Sequence, residues 1–142
     1  MVAYAPSARE SLGILNLEAD YFFLRNTSVN LHLQGFYFDQ PGPNALAIGP
    51  AITLRHDFFV RPKGNLFVAG GVGAIYADHS VPEILGSQLN LAPRAAVGFT
   101  RELFGNTRLV GGLRVSNIDS LSGPPFSRTV LQPFLGLSIP LR

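Results

Sequence analysis

The chain has 142 residues, enough for a single domain over 1–142, and a formal net charge of +2. Charged residues make up 14% of it, against about 25% in ordinary soluble domains, and with ten arginines and one lysine it cannot build the usual Lys/Glu surface. Cysteine is absent, which excludes a disulfide framework and a thiolate metal site; the scattered arginines leave no nucleic-acid footprint, and no apolar run approaches the ~18 residues of a membrane helix.

Met1 to Glu10 is too short and too polar for a signal peptide. From Leu12 an alternation begins. Leu15, Leu17, Ala19, Tyr21 and Phe23 fall on one face, and Asn16, Glu18 and Asp20 on the other. After a short turn at Arg25–Ser28, Val29, Leu31, Leu33 and Tyr37 alternate with Asn30, His32 and Gln34. A turn cluster at Asp39–Asn44 leads to Leu46, Ile48, Pro50, Ile52 and Leu54 against Ala47, Gly49, Ala51, Thr53 and Arg55. A tight turn at Arg61–Asn65 precedes a Gly-rich strand, Leu66 to Tyr76, and Ala77–Ser87 reads as a longer loop. Leu89, Leu91, Pro93, Ala95, Val97 and Phe99 then alternate with Asn90, Arg94, Ala96 and Gly98. A third short turn, Glu102–Asn106, leads to Arg108–Asn117, which alternates without a break. Ile118–Ser127 reads as a loop, and a last strand carries Leu131, Pro133, Leu135, Leu137 and Ile139 against Val130, Gln132 and Gly136.

A side-chain period of two means strands. Seven clear strands of roughly ten residues, with no helical pattern, mean an all-β sandwich or barrel. Pro50, Pro93 and Pro133 sit in every second strand, where proline removes a ladder donor.

Period alone does not say which face is wet. A soluble sandwich would bury the apolar face; a transmembrane barrel would turn it to lipid. Three features favour the barrel. The polar face mixes Asn, Gln, Thr and Arg with Ala and Gly, which suits a narrow lumen. Aromatics gather near strand ends (Tyr21 and Phe23, Phe36–Phe38, Phe58 and Phe59, Tyr76, Phe99), as in an interfacial girdle. Connections alternate between short and long, as periplasmic turns and external loops do. The expectation is an antiparallel up-and-down transmembrane β-barrel of the bacterial outer membrane. An even strand number requires an eighth strand before Leu12, for which only Val2–Ala5 remains, so the first strand is short or partly missing. With short turns periplasmic, Arg108–Asn117 runs outward and ends near the external rim.

Gly70-Gly71-Val72-Gly73, Val81-Pro82 followed by Gly86, Gln88 to Pro93, and Gly111 to Asn117 together resemble the lipid A 3-O-deacylase (acyloxyacyl hydrolase-like) outer-membrane barrels, over most of the second half of the chain. The resemblance implies an eight-stranded barrel with a serine nucleophile at its rim. The family motif is His-x-Ser-Asn with an acidic residue about a dozen positions later. Ser116 and Asn117 match it. The histidine position holds Arg114, and the acidic position falls near Arg128 or Thr129. Arginine stays protonated and cannot serve as the base; a serine without its base loses on the order of 10⁴ or more in rate.

Among the histidines, His32 faces the lumen, His56 the lipid side near the inner end, and His79 an outer loop from which it alone can reach Ser116. Glu18 and Asp20, with Arg55 and Asp57, read as a lumenal ion-pair network. Arg114 and Arg128 are expected to face each other near the outer mouth, either holding an anionic head group such as a lipid phosphate or pairing with Asp119 or backbone carbonyls. No spacing suggests a metal, and the Gly70–Gly73 stretch lacks the strand-to-helix context of a nucleotide loop, so no cofactor is expected. The functional expectation is a structural or lipid-interacting barrel, with outer-membrane lipids, including lipid A, as partners and an impaired catalytic set. The alternative is an active lipid A esterase using Ser116.

Overall fold

Each alternating stretch forms a strand, and the strands close on themselves in chain order. The computed structural model describes residues 2–4, 11–39, 44–81, 87–105, 107–121 and 127–139. The elements are β1 Val2–Tyr4, β2 Ser11–Leu24, β3 Thr27–Asp39, β4 Ala45–Arg61, β5 Gly64–Val81, β6 Ser87–Phe104, β7 Thr107–Ser120 and β8 Ser127–Ser138. They form a closed antiparallel up-and-down barrel in which each strand pairs with the next. Closure runs through the short β1, which meets Ser11–Gly13 of β2 on one side and Leu131 of β8 on the other. Further along, β2 from Ile14 and β8 from Gln132 have no strand between them among the described residues.

The faces are decided by exposure. Leu91, Leu113 and Leu135 are 37%, 48% and 69% exposed, whereas Asn90, Arg94 and Gln132 are 1%, 8% and 3% exposed. The apolar face is therefore the outer wall and the polar face fills the interior, as an eight-stranded barrel requires. Soluble monomers rarely expose an apolar patch beyond a few hundred Å². Here the exposed Leu, Ile and Val run around β2 to β8, so the soluble sandwich is excluded.

Strands β2 to β8 are 12 to 18 residues long, longer than the sequence suggests. Ala77–Val81 and Ile118–Ser120, read as loop, continue β5 and β7. The short turns fall at Arg25–Asn26, Pro62–Lys63 and Gly105. Asn26 and Gly105 adopt positive φ, 67° and 57°, a backbone that asparagine tolerates and glycine adopts freely.

The prolines have a consistent place. Pro50 and Pro93 pair in register with the preceding strand, at Leu33 and Val72. The ladder to the following strand skips them, between Ala51 and Ile48 in one case and Arg94 and Leu91 in the other. Each proline thus turns its missing N–H toward an interruption that would have left that donor unpaired. Outward aromatics include Tyr21, Phe23, Phe59 and Phe104 toward the short turns and Tyr37 and Tyr76 toward the long loops. Phe36 departs from the expected girdle: it shares the inward face of β3 with His32 and Gln34 and is 5% exposed. The Phe38 side chain lies outside the described residues.

Candidate functional site

The lumen is layered. Toward the long-loop end, Ile14, Phe36, Ala45, Ile75, Ala77, Ala92, Ile118 and Val130 pack into an apolar plug. This plug has no signature in the alternation, because its residues share parity with the polar lining. Below it lies a polar layer containing His32, Gln34, Thr53, Arg94 and Arg114. Arg94 reaches across from β6 and donates from Nη1 to Gln34 Oε1 on β3. His32 Nε2 lies 2.9 Å from Thr53 Oγ1. Asn30 Nδ2 donates to Glu18 at 2.8 Å and to Asp20 at 2.7 Å, which ties the two carboxylates to β3. Nearer the short turns, Arg55 Nε donates to Asp57 at 2.7 Å and Nη2 to Thr100 at 2.9 Å, with its guanidinium 4.0 Å from the centre of the Phe67 ring. The lumenal network expected of these four charged residues is present, with Arg55–Asp57 as its ion pair and Asn30 as the link between the acids.

The Gly residues on the inner face make room for these long side chains. A Cβ on Gly73 would lie 2.5 Å from Arg94 Nη2, and one on Gly112 would lie 2.9 Å from Phe134 Cζ. Between the layers is a cavity of about 30 Å³, space for a water-sized occupant but not for an acyl chain.

Ser116 is inside the barrel. It lies opposite Arg94 on β6 and Val130 on β8 and is 4% exposed. Ile118, on the same face and one step nearer the long loops, belongs to the plug above it. The expected place at the open rim is thus corrected: β7 runs on to Ser120, so Ser116 is below the mouth. Arg114 is buried too, with its guanidinium 5.2 Å from the Phe134 ring centre. It stands opposite Gln132, while Arg128 stands opposite Ile118, four residues further along β7. The two arginines do not face each other, because the β7–β8 register separates them by about 13 Å at the ordinary rise per strand residue. The Arg128 side chain lies outside the described residues. Asp119 is on the opposite face of β7 from Arg114 and accepts a 2.9 Å hydrogen bond from Asn117 instead.

No histidine joins Ser116 among the described hydrogen bonds. His56 is on the outer wall, where Nδ1 lies 3.0 Å from Thr27 Oγ1. His79 belongs to β5, not to a loop, and its side chain lies outside the described residues.

Asn117 points the other way. On the outer side near the long loops, its Nδ2 donates to Ser127 Oγ at 2.8 Å as well as to Asp119, and Thr129 Oγ1 donates to its Oδ1 at 3.0 Å. Asn117, Asp119, Ser127 and Thr129 thus make a polar chain on the outer wall at its long-loop end. Sequence reasoning missed it as a unit because two of its members lie on β8. The signal was available: these are polar residues at odd positions, on the face where β7 and β8 carry Leu109, Leu113, Val115, Leu131, Leu135 and Leu137.

Among solved structures, the chain is similar to the crystal structure of the outer membrane enzyme PagL, with a TM-score of 0.76 at 16% identity, over 99% of this chain and 96% of that one. The fold is PagL-like. At this identity the likeness is one of architecture, and it agrees with the eight-stranded barrel reached from the alternation. No family model and no curated protein matches the chain.

Proposed function

We propose that the protein is a bacterial outer-membrane barrel that works among lipids, lipid A included, and does not act as a lipid A esterase through Ser116. The observation that carries this reading is the position of Ser116: 4% exposed inside the wall, below the plug and beside Arg114, where the resembling family has its base. A nucleophile must meet the ester carbonyl with its base within hydrogen-bond reach, and Ser116 is buried beneath Ile118 and Val130 of the plug with no histidine hydrogen-bonded to it among the described residues. The lipid contacts of this reading fall on the outer wall. Its Leu, Ile and Val meet acyl chains, and the Asn117–Asp119–Ser127–Thr129 chain offers donors and acceptors near head-group depth. Arg114 contributes nothing to that surface.

A second reading is an active lipid A 3-O-deacylase with Ser116 as nucleophile and Asn117 beside it. It is favoured by the Ser-Asn pair of the family motif and by the likeness to a barrel described as an enzyme. Incubating the purified chain with lipid A and following the products by mass spectrometry separates the two. The proposal expects intact lipid A. Loss of a 3-hydroxyacyl chain that stops in Ser116→Ala would establish the second reading.

A further inference from the structure

The polar layer holds two guanidinium groups with no carboxylate in contact among the described residues. Arg94 and Arg114 are 8% and 7% exposed. Among the described residues the ion pairs within 4 Å are His32–Glu18 and Arg55–Asp57, so neither arginine has a carboxylate. Arg94 Nε and Arg114 Nη1 are fully buried and have no hydrogen-bond partner among the described residues; His32 Nδ1 makes no hydrogen bond there either, with Glu18 Oε2 3.5 Å away. Buried N–H groups are almost always paired, and a buried charge is ordinarily compensated.

All three residues line the same cavity, together with Glu18, Arg55 and Phe134. Arg94 stands opposite Ser116 and Arg114 opposite Ala96, so the two are diagonal neighbours on the inward face of β6 and β7, about 7–8 Å apart at their roots. Like charges at that spacing repel unless something negative lies between them. Glu18 is the acid on this cavity; it is drawn toward Asn30 and His32, with contacts of 2.8 and 3.5 Å. Asp57 is committed to Arg55. Arg55, Arg94 and Arg114 are set against Glu18, Asp20 and Asp57, so the formal charges of the lumen balance, but the carboxylates lie with Asn30, His32 and Arg55 and leave Arg94 and Arg114 with none in contact.

The geometry points to a small monovalent inorganic anion, of the size of chloride, held in the lumen between Arg94 and Arg114. A water would satisfy an orphan N–H but would leave both guanidinium groups without an anion in contact. A cavity of about 30 Å³ is of the size that takes a water or a halide and excludes a phosphate ester. Guanidinium N–H groups are donors only, as an anion site requires. This site is on the inner face of the barrel and is independent of any lipid role of the outer wall.

The test uses the full chain folded in detergent micelles, with chloride, bromide or gluconate as the sodium salt at constant ionic strength. The thermal midpoint is expected to rise by a few degrees over a hundredfold increase in chloride and to level off, with bromide acting likewise and gluconate, too large for the cavity, having no effect. Arg114→Gln and Arg94→Gln should abolish the dependence, while Arg108→Gln, outside the cavity, should retain it. If Arg94→Gln does not fold, Arg114→Gln and the wild-type series decide. Crystals grown in bromide should show an anomalous peak between the two guanidinium groups. Equal midpoints in chloride and gluconate at every concentration, an undiminished response in Arg114→Gln, or water alone in the cavity would overturn the proposal.

Discussion

Ser116 and Asn117 are adjacent in the chain and lie on opposite sides of the barrel wall. Ser116 is enclosed in the lumen, and the Asn117 amide bridges Asp119 and Ser127 on the outer side. Ser116→Ala is therefore expected to leave binding of lipopolysaccharide vesicles unchanged. Asn117→Ala removes the centre of the rim chain and should weaken both vesicle binding and the β7–β8 rim, by about 1 kcal/mol per hydrogen bond lost at most. Vesicle co-sedimentation and urea unfolding in micelles measure the two effects. Equal effects of the two substitutions would contradict the arrangement.

Arg55 and Asp57 test the lumenal network. Their side chains are 8% and 11% exposed and joined at 2.7 Å. Removing one partner of a buried pair strands the other charge, so Asp57→Asn is expected to cost about 3–5 kcal/mol. The double change Arg55→Met with Asp57→Leu should cost less than Asp57→Asn alone, since no charge is then left behind. Denaturant midpoints of the three variants check the order.

Two glycines of the wall should respond unequally to the same change. A Cβ on Gly98 would lie 2.5 Å from Gly111 O and 2.5 Å from Phe67 Cζ, whereas one on Gly35 would meet nothing within 4 Å. Gly98→Ala is expected to destabilise by about 1–3 kcal/mol, the usual cost of overpacking. Gly35→Ala, on the outer face, should be neutral. Thermal midpoints of both in the same detergent give the comparison.

Much of this fold was legible in the sequence because a strict period of two leaves only the choice of wet face, and composition made that choice. Leu113 and Val115 announced a wall, and Gly98 and Gly112 a crowded interior. Even the short β1 followed from the need for an even strand count. The site was less legible. The depth of Ser116 depends on how far β7 runs past Asn117, and Asn117 to Ser120 carry no breaker that shows the end. The separation of Arg114 from Arg128 depends on the β7–β8 register, which is set across the connection and not by either strand's own pattern. The plug of Phe36, Ile75, Ile118 and Val130 was hidden because Phe36 reads as part of the aromatic girdle and Ile118 as loop, so the apolar residues at inward positions do not add up to a cluster in any one strand. They are visible only when strands from the whole circumference are brought together.

A charge on the wall separates lipid from water. Leu113 is in mid-strand and 48% exposed. Leu113→Arg is expected to cost about 2–4 kcal/mol in a bilayer-folded barrel, whereas a solvent-facing strand would accept it at little cost. Urea unfolding from phospholipid vesicles reads the difference.

The central claim is that the outer wall meets lipid and the inner face does not, and the absence of native cysteine makes it directly measurable. Leu113→Cys, Arg114→Cys, Val115→Cys and Ser116→Cys, each carrying a spin label in vesicles, report collision with oxygen dissolved in the lipid. The account predicts high oxygen accessibility at 113 and 115 and low accessibility at 114 and 116. The opposite alternation, or no alternation, would contradict it.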